Sequence, residues 1–297
     1  MIHLDAATVL LQWAVGGLAF LWFTTRRHEI GLGYSMLLRI TYGVFAAGAC
    51  GFGLRYGVEP VREVSAVAVA IAAFVLIRNK RSKFDLIAPL LGVPGILVAG
   101  FSAVVGGGAG DYAVSLIRVV VGTLFLGVVS DTMLLGHWYL VQPGMPRKLI
   151  NEIVDAVIYL WPFEVIALLL PTGMISVLNG SVDDGWNGVL GWFWLASAIV
   201  TGVLALVTRA ALKERSYSAV MAATGLMYLA ILTAFCTDIV ARALLAAELS
   251  LSVFLEWRVR CNECPWASAL HGETQIEQEL LAEVTAIDLQ RHWQAVN

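Results

Sequence analysis

Ionisable side chains interrupt two long apolar stretches in the middle of the chain, and four of them form a candidate pathway. Asp131 and His137 lie in the first stretch, and Glu152 and Asp155 lie in the second, on either side of a short turn rich in proline and glycine. An ionisable group at membrane depth is costly and usually faces the interior of a helical bundle, so it marks a candidate functional site. Carboxylates and imidazole can pass protons to one another, and a histidine with two carboxylates also suits a divalent transition metal. The sequence does not identify such a metal.

These four side chains are predicted to lie at different depths. With a helical rise of 1.5 Å per residue, Glu152 and His137 lie about 4–6 Å from the turn, Asp155 about 9 Å and Asp131 about 15 Å. Glu152 and Asp155 share a helix face because they are three residues apart. The pattern predicts a pathway for protons or a small cation through all four residues. In the opposing interpretation the acids have only a structural role and fix the register of the two helices. Glu152 and Asp155 lie in the first turns of their helix, where the positive end of the helix dipole stabilises acidic side chains.

The sequence Gly136-His137-Trp138-Tyr139 permits a different chemistry. A histidine near a helix end can ligate the iron of b-type haem, and His28 is the other histidine expected at a comparable depth. Alternatively, His137 can donate a hydrogen bond to a quinone headgroup that Trp138 and Tyr139 border. These four aromatic side chains are therefore candidate cofactor-binding residues, with haem b or a quinone as the cofactor.

Two pairs of opposite charge also lie inside apolar stretches. Helix tilt would bring Arg118 and Glu164 together, and Asp238 and Arg242 share one helix face because they are four residues apart. We interpret both pairs as structural ion pairs, because each charge then has a partner that offsets the cost of its burial.

The composition indicates that lipid is the main solvent of the chain. Of 297 residues, 59% are hydrophobic and 14% are charged, whereas soluble domains have about 25% charged residues. The net charge of −3 and the lack of a basic cluster give no indication of a nucleic acid partner. The sequence contains no nucleophile elbow, phosphate-binding glycine loop, HExxH motif or paired CxxC motif, so we expect a protein that is not an enzyme.

Eight apolar stretches are long enough, or nearly so, to cross a hydrocarbon core of about 30 Å as helices. Backbone polar groups in lipid must be satisfied within the segment, which favours helices over irregular structure. We therefore expect an all-α, polytopic integral membrane bundle of about eight transmembrane helices. The stretches are residues 6–24, 36–56, 61–77, 86–106, 112–141, 149–170, 186–208 and 217–247.

The distribution of Lys and Arg predicts how the bundle is oriented. The first, third, fifth and seventh connections are basic, whereas the others hold few basic residues. Because basic connections remain in the cytoplasm, both termini are predicted to be extracytoplasmic. We expect the protein in an inner (plasma) membrane of the bacterial type. Its expected partners are the lipid bilayer and, if it belongs to a complex, other membrane subunits.

The chain becomes more polar after Ala247, which predicts a transmembrane bundle over 1–247 and an extracytoplasmic tail over 248–297. The tail is expected to hold a surface helix and a CxxC motif formed by Cys261 and Cys264. Three interpretations of this motif remain open: a local disulfide or ordinary thiol pair, a partial metal site with His271, or a redox pair. A single CxxC is a weak zinc signal, and an oxidising compartment favours the disulfide.

Three functions fit these patterns. The first is a transporter-type bundle that conducts protons or a small cation through the acids and the histidine of the central hairpin. The second is a membrane subunit of an electron-transfer complex that binds quinone or haem. The third is a structural assembly subunit of a larger membrane complex.

Overall fold

The computed structural model describes residues 5–104, 108–142, 144–170, 173–181 and 186–262, with side chains as far as Leu244. Within these ranges all regular structure is helical and no strand occurs. Six of the helices are long and apolar enough to cross a bilayer. The predicted fold class, an all-α integral membrane bundle, is therefore confirmed at this level.

Over the described ranges, nine α-helices and one 3₁₀ turn follow one another. A helix occurs at each of the eight predicted stretches, and a short helix, α7, adds a turn between the sixth and the seventh. The helices are α1 Ala6–Thr25, α2 Leu32–Tyr56, α3 Pro60–Val75, α4 Ile87–Ser102, α5 Ala109–Val141, α6 Arg147–Leu169, α7 Gly173–Leu178, α8 Val189–Ala211 and α9 Tyr217–Asn262, and the 3₁₀ turn Ser82–Leu86 precedes α4.

The number of spans and the orientation of the termini stay predictions. The six helices that suit a bilayer are α1, α2, α4 with its preceding turn, α5, α8 and the first part of α9. At 1.5 Å per residue, the 16 residues of α3 reach about 24 Å, which is less than the hydrocarbon thickness of about 30 Å. Helix α6 carries charged residues near its start, its middle and its end, which lowers its mean hydropathy.

Large aliphatic side chains cover the outward faces of these helices. Val64 on α3, Leu90 on α4 and Leu232 on α9 are each at least 63% exposed. A soluble protein rarely leaves so many large apolar side chains in water, whereas a bilayer solvates them. The outward faces therefore contact lipid.

Helix α1 packs against α2, α4 and α5, while α2 packs on α3, α3 on α4, α5 on α6 and α6 on α8. The closest approach joins α1 to α5. A methyl group added at Gly16 would overlap the backbone carbonyl of Thr123, and one added at Gly127 would overlap the backbone of Gly16. Small residues let helices approach this closely in lipid, where van der Waals packing replaces the hydrophobic effect.

The bundle has two ends, which we name by residues at the two ends of α1. At the Arg26 end, Glu152 of α6 contacts the connection after α1, and Arg147 donates hydrogen bonds to the carbonyl oxygens of residues 214–216 before α9. At the Asp5 end, Asp5 caps α1 and contacts Arg62 of α3. The basic connections predicted to be cytoplasmic thus meet at the Arg26 end.

Residue contacts divide the chain into two units, Met1–Ala247 and Glu248–Asn297. The first unit is the bundle described above. In the second unit the backbone of α9 continues to Asn262. The side chain of Cys261 and the whole of Cys264 lie outside the described residues, so the predicted disulfide and the extracytoplasmic tail stay predictions.

Candidate functional site

The two predicted acids nearest the Arg26 end are held in ion pairs. Glu152 lies 2.8 Å from Arg27 Nη1 and 3.7 Å from Arg26 Nη2. Asp155 lies 2.5 Å from Nε of Arg209. All of these side chains are partly exposed, and they join α6 to the α1–α2 connection and to α8. Both acids therefore connect helices at the edge of the bundle.

His137 and Asp131 lie on different sides of α5. His137 is exposed, and its Nδ1 lies 3.3 Å from the hydroxyl oxygen of Tyr228 on α9. Asp131 is fully buried. The two residues are six positions apart, which corresponds to about 600° of rotation around the helix axis, or about 120° less than two full turns. Their side chains therefore point in directions about 120° apart. The structure does not bring these two predicted pathway residues together.

Asp131 is sealed between helices. The hydroxyl of Tyr42 on α2 donates a hydrogen bond to its Oδ1, whereas Oδ2 has no hydrogen-bond partner in the described part of the chain. Gly17 of α1 makes room for Tyr42, because a methyl group there would overlap the tyrosine ring. An unsatisfied buried oxygen is costly, so this site needs an explanation beyond packing.

A second tyrosine completes what we call the Asp131 cluster, formed by Tyr34, Tyr42 and Asp131. Tyr34 is also fully buried and interacts electrostatically with Asp131. Its hydroxyl has no hydrogen-bond partner among the described groups. The cluster thus holds two phenols and one carboxyl group in the interior of α1, α2 and α5, and the sequence analysis named only its aspartate.

Another buried polar group, which we call the Gly122 cluster, consists of Gln12, Glu164, Asp238 and Arg242. Arg242 Nε donates to Asp238 Oδ2 over 2.9 Å. A methyl group at Gly122 would lie 3.1 Å from Arg242 Nη2, 3.6 Å from Gln12 Nε2 and 3.7 Å from Asp238 Oδ1. Three polar side chains from α1 and α9 therefore converge on a glycine of α5.

Glu164 of α6 is the fourth member of this cluster. It is 1% exposed and interacts electrostatically with Asp238 and Arg242. Its Oε2 and the Oε1 of Gln12 both lack hydrogen-bond partners among the described residues. The cluster therefore combines two carboxylates, one guanidinium and two unsatisfied acceptor oxygens in a place with almost no solvent exposure.

The predicted pair of Arg118 with Glu164 is not among the ion pairs of residues 5–244 that the structure describes. Arg118 Nε instead donates to the carbonyl oxygen of Ala167 over 2.9 Å, and its Nη2 donates to that of Leu170. The last carbonyl groups of a helix lack intrahelical partners, which explains why a guanidinium binds there. Glu164 is thus left to interact with the charges of α9.

A cavity of about 630 Å³ opens at the Asp5 end and reaches Arg242. Arg242 is 2% exposed, and in the described structure its Nη1 and Nη2 donate to no acceptor. A second arginine of this cavity, Arg62, donates instead to Asp5, Glu63 and the carbonyl oxygen of Gly57. Arg242 therefore lines the cavity with a guanidinium whose Nη1 and Nη2 have no acceptor among the described residues.

The residues suggested for haem or quinone have separate surroundings. His28 lies in the connection after α1, 3.5 Å from the hydroxyl of Ser82, while His137 contacts Tyr228. Trp138 Nε1 donates to the side chain of Gln142 over 3.1 Å, and Tyr139 donates to the carbonyl oxygen of Pro146 over 2.5 Å. The described contacts give the two histidines no common neighbour for a bis-histidine haem site. Among the described side chains, no group of three His, Cys, Asp or Glu is placed to hold a metal ion.

Comparison of the chain with protein families, with characterised proteins and with solved structures finds no match. The interpretation of the site therefore rests on its geometry. Sequence reasoning missed the convergence of Gln12, Glu164 and Arg242. A glutamine in the first apolar stretch and a glycine in the fifth were the available signals, but they indicate a polar meeting point only once α1, α5 and α9 are known to be neighbours.

Proposed function

We propose that this integral membrane protein is a transporter-type bundle that moves protons or another small cation across the bilayer. Asp131 carries the proposal. It is 0% exposed, it is in no ion pair of the described residues, and one of its oxygens has no hydrogen-bond partner. A carboxyl group in such a place is costly unless it binds a proton or cation, so a purely structural position would favour a neutral side chain.

The hydrogen bond from Tyr42 determines which oxygen of Asp131 is left to bind the proton or cation. The tyrosine hydroxyl donates to Oδ1, so Oδ2 is the oxygen left for an incoming proton or cation. Ser130, the preceding residue, accepts a hydrogen bond of 2.5 Å from Trp13 Nε1 on α1. The contacts on both sides of Asp131 hold α1 and α2 against α5, which keeps the carboxyl group inside the bundle.

The proposed pathway runs along α5 between the two buried clusters. Gly122 and Asp131 are nine residues apart, which corresponds to about 14 Å along the helix. The cavity at the Asp5 end gives access to the Gly122 cluster, and we place this end outside the cytoplasm because the basic connections lie at the other end. In this proposal Glu152 and Asp155 hold α6 in place through their ion pairs, and His137 lies to one side of the pathway.

Proton or cation flux in liposomes tests the proposal. The purified protein is reconstituted, and flux is compared between the native protein, Asp131→Asn and Asp155→Asn. We expect Asp131→Asn to abolish flux because an amide cannot exchange a proton, and we expect Asp155→Asn to retain it. Native flux in Asp131→Asn would contradict the proposal.

One observation favours the electron-transfer alternative. His137 and Tyr228 form an exposed pair with ring centroids 6.5 Å apart at 87°, on a surface between α5 and α9. Both side chains can hydrogen-bond to a quinone that diffuses in lipid. This alternative predicts that the protein purified from native membranes carries quinone, and that His137→Ala loses it. A haem version predicts a Soret band that the same substitution removes.

A further inference from the structure

We propose that the cavity at the Asp5 end binds a small organic monocarboxylate through Arg242, and that binding is accompanied by uptake of one proton at Glu164. This inference rests on the proposed transport function and names its substrate class. The protein would then move a carboxylate together with a proton.

The geometry of Arg242 carries the first half of the proposal. Asp238 accepts a hydrogen bond from Nε, which fixes the guanidinium and leaves Nη1 and Nη2 without an acceptor among the described residues. Arg242 also lines the cavity. A guanidinium presents paired N–H donors that match the two oxygens of a carboxylate, and such bonds are strong where water is excluded. A guanidinium that Asp238 fixes through Nε, and that lines a cavity, is therefore suited to a carboxylate.

The rest of the cavity selects for size and charge. Its volume of about 630 Å³ falls in the range of about 300–1,000 Å³ that is usual for small-molecule sites. Its lining combines apolar side chains such as Phe52 and Ala99 with two acids, Asp5 and Glu59, which disfavour a second negative charge on the solute. The donors of Arg62 are already bound, so a second carboxylate would find no free guanidinium there. These features favour a compact solute with one carboxylate.

The charges around Glu164 carry the second half. Asp238 and Glu164 with Arg242 sum to one negative charge when both acids are ionised, and a bound carboxylate would add a second in a site shielded from water. Uptake of one proton by Glu164 returns the sum to one negative charge. Carboxylate binding and proton binding therefore favour each other.

Few other charged groups lie near Glu164. Asp238 and Arg242 belong to α9, and Arg118 of α5 donates to carbonyl oxygens at the end of α6. Helix α8 carries Arg209 at its opposite end, where it pairs with Asp155, and α7 has no charged residue. Among the residues that the structure describes, Glu164 is thus the acid of the cluster with no cation bonded to it, since Arg242 is bonded to Asp238.

Calorimetric titration of the protein in lipid nanodiscs tests the proposal with lactate, its neutral analogue lactamide and the dicarboxylate succinate. Titrations in two buffers of different ionisation enthalpy give the number of protons taken up. At alkaline pH, where Glu164 is ionised before lactate binds, we expect lactate to bind with uptake of about one proton, and lactamide and succinate to bind at least tenfold more weakly, which is a difference of about 1.4 kcal/mol or more. Equal affinities for lactate and lactamide, or no binding of lactate and of a panel of other monocarboxylates, would overturn the proposal.

Variants test carboxylate binding by Arg242 and proton uptake by Glu164 separately. Arg242→Gln should weaken lactate binding at least tenfold, whereas Arg55→Gln, an exposed arginine at the same end, should leave it unchanged. Glu164→Gln should keep lactate binding and remove the proton uptake. Because Arg242→Gln leaves Asp238 buried without its partner, the charge-neutral double variant Asp238→Asn with Arg242→Gln is titrated as well. Native lactate affinity in that folded double variant would also overturn the proposal.

The binding experiment and the flux experiment test different proposals, so a negative result in one does not refute the other. Flux that depends on Asp131 with no monocarboxylate binding would refute the substrate class and leave the transport proposal standing. Lactate binding with native flux in Asp131→Asn would refute the role of Asp131 and leave the cavity assignment standing.

Discussion

The hydroxyl of Tyr42 donates a hydrogen bond to Oδ1 of Asp131 across the interface between α2 and α5. Neither side chain has measurable exposure, and the tyrosine ring occupies the space that Gly17 leaves on α1. Three helices therefore cooperate to place one phenol against one carboxyl group. An arrangement this specific around a costly group is characteristic of a functional position in a membrane bundle.

Removing the tyrosine hydroxyl should destabilise the bundle measurably. Tyr42→Phe leaves both oxygens of Asp131 without a donor, and hydrogen bonds between membrane helices are worth about 0.6–1.7 kcal/mol. Tyr228→Phe, which removes an exposed hydroxyl 3.3 Å from His137, should have a smaller effect. Unfolding titrated with SDS and followed by circular dichroism measures both, and an equal loss in the two variants would contradict the prediction.

The contact between α1 and α5 should not tolerate a methyl group. Gly16→Ala pushes against the backbone of α5, and overpacking of this kind costs about 1–3 kcal/mol. Gly51→Ala on α2 is the matched control, because a methyl there meets no atom within 4 Å and alanine favours a helix. In the same SDS titration, the free energy of unfolding of Gly16→Ala should be lower than that of the native protein. That of Gly51→Ala should equal or exceed the native value. The reverse order would show that the two helices do not touch in this way.

Breaking the buried pair of α9 should cost more than removing it. Asp238→Asn removes the carboxylate that is hydrogen-bonded to Arg242 and leaves only Glu164 to offset that buried charge, so we expect a loss of up to about 3–5 kcal/mol. The double variant with Arg242→Gln removes both charges and should recover part of that loss. A double-mutant cycle of unfolding free energies gives the coupling between the two residues. Additive effects would indicate that the ion pair does not determine stability.

The ion pairs at the Arg26 end should matter little for stability and depend on salt. Glu152→Gln is expected to cost about 0–1 kcal/mol, because its partners Arg26 and Arg27 are partly exposed. The cost should fall further in about 1 M salt, where charges are screened within about 3 Å. Thermal unfolding at low and high salt measures this change. Loss of proton or cation flux in Glu152→Gln would instead return this acid to the pathway.

The positions of the helices could be predicted from the sequence, because long apolar stretches without charge have few other solutions in lipid. A helix occurs at every predicted stretch, although length and composition support membrane spans for six of them. The depth of Asp131 along its helix also follows from residue counting. The helix positions and the depth of a residue along its helix depend only on residues that are close in the sequence.

The contacts of the site could not be predicted in the same way, because they depend on which helices are neighbours. Asp131 and His137 were grouped by depth, yet the rotation of α5 points them to different surroundings. Glu164 was paired with Arg118 on the adjacent helix of the chain, whereas α9 brings Arg242 near it. The role of Tyr42 requires knowledge that α2 lies against α5, and nothing local in the sequence of α2 indicates this.

The touching backbones of α1 and α5 limit how the protein can open to the opposite side. With Gly16 against Gly127 and no side chain between them, the two backbones already touch, so we expect α1 and α5 to move together. If the bundle transports as proposed, the movement that alternates access would take place outside this contact, for example where α9 meets α5. Arg242 and Asp238 lie beside Gly122 of α5, so in the proposed transport cycle their surroundings would change when α9 moves.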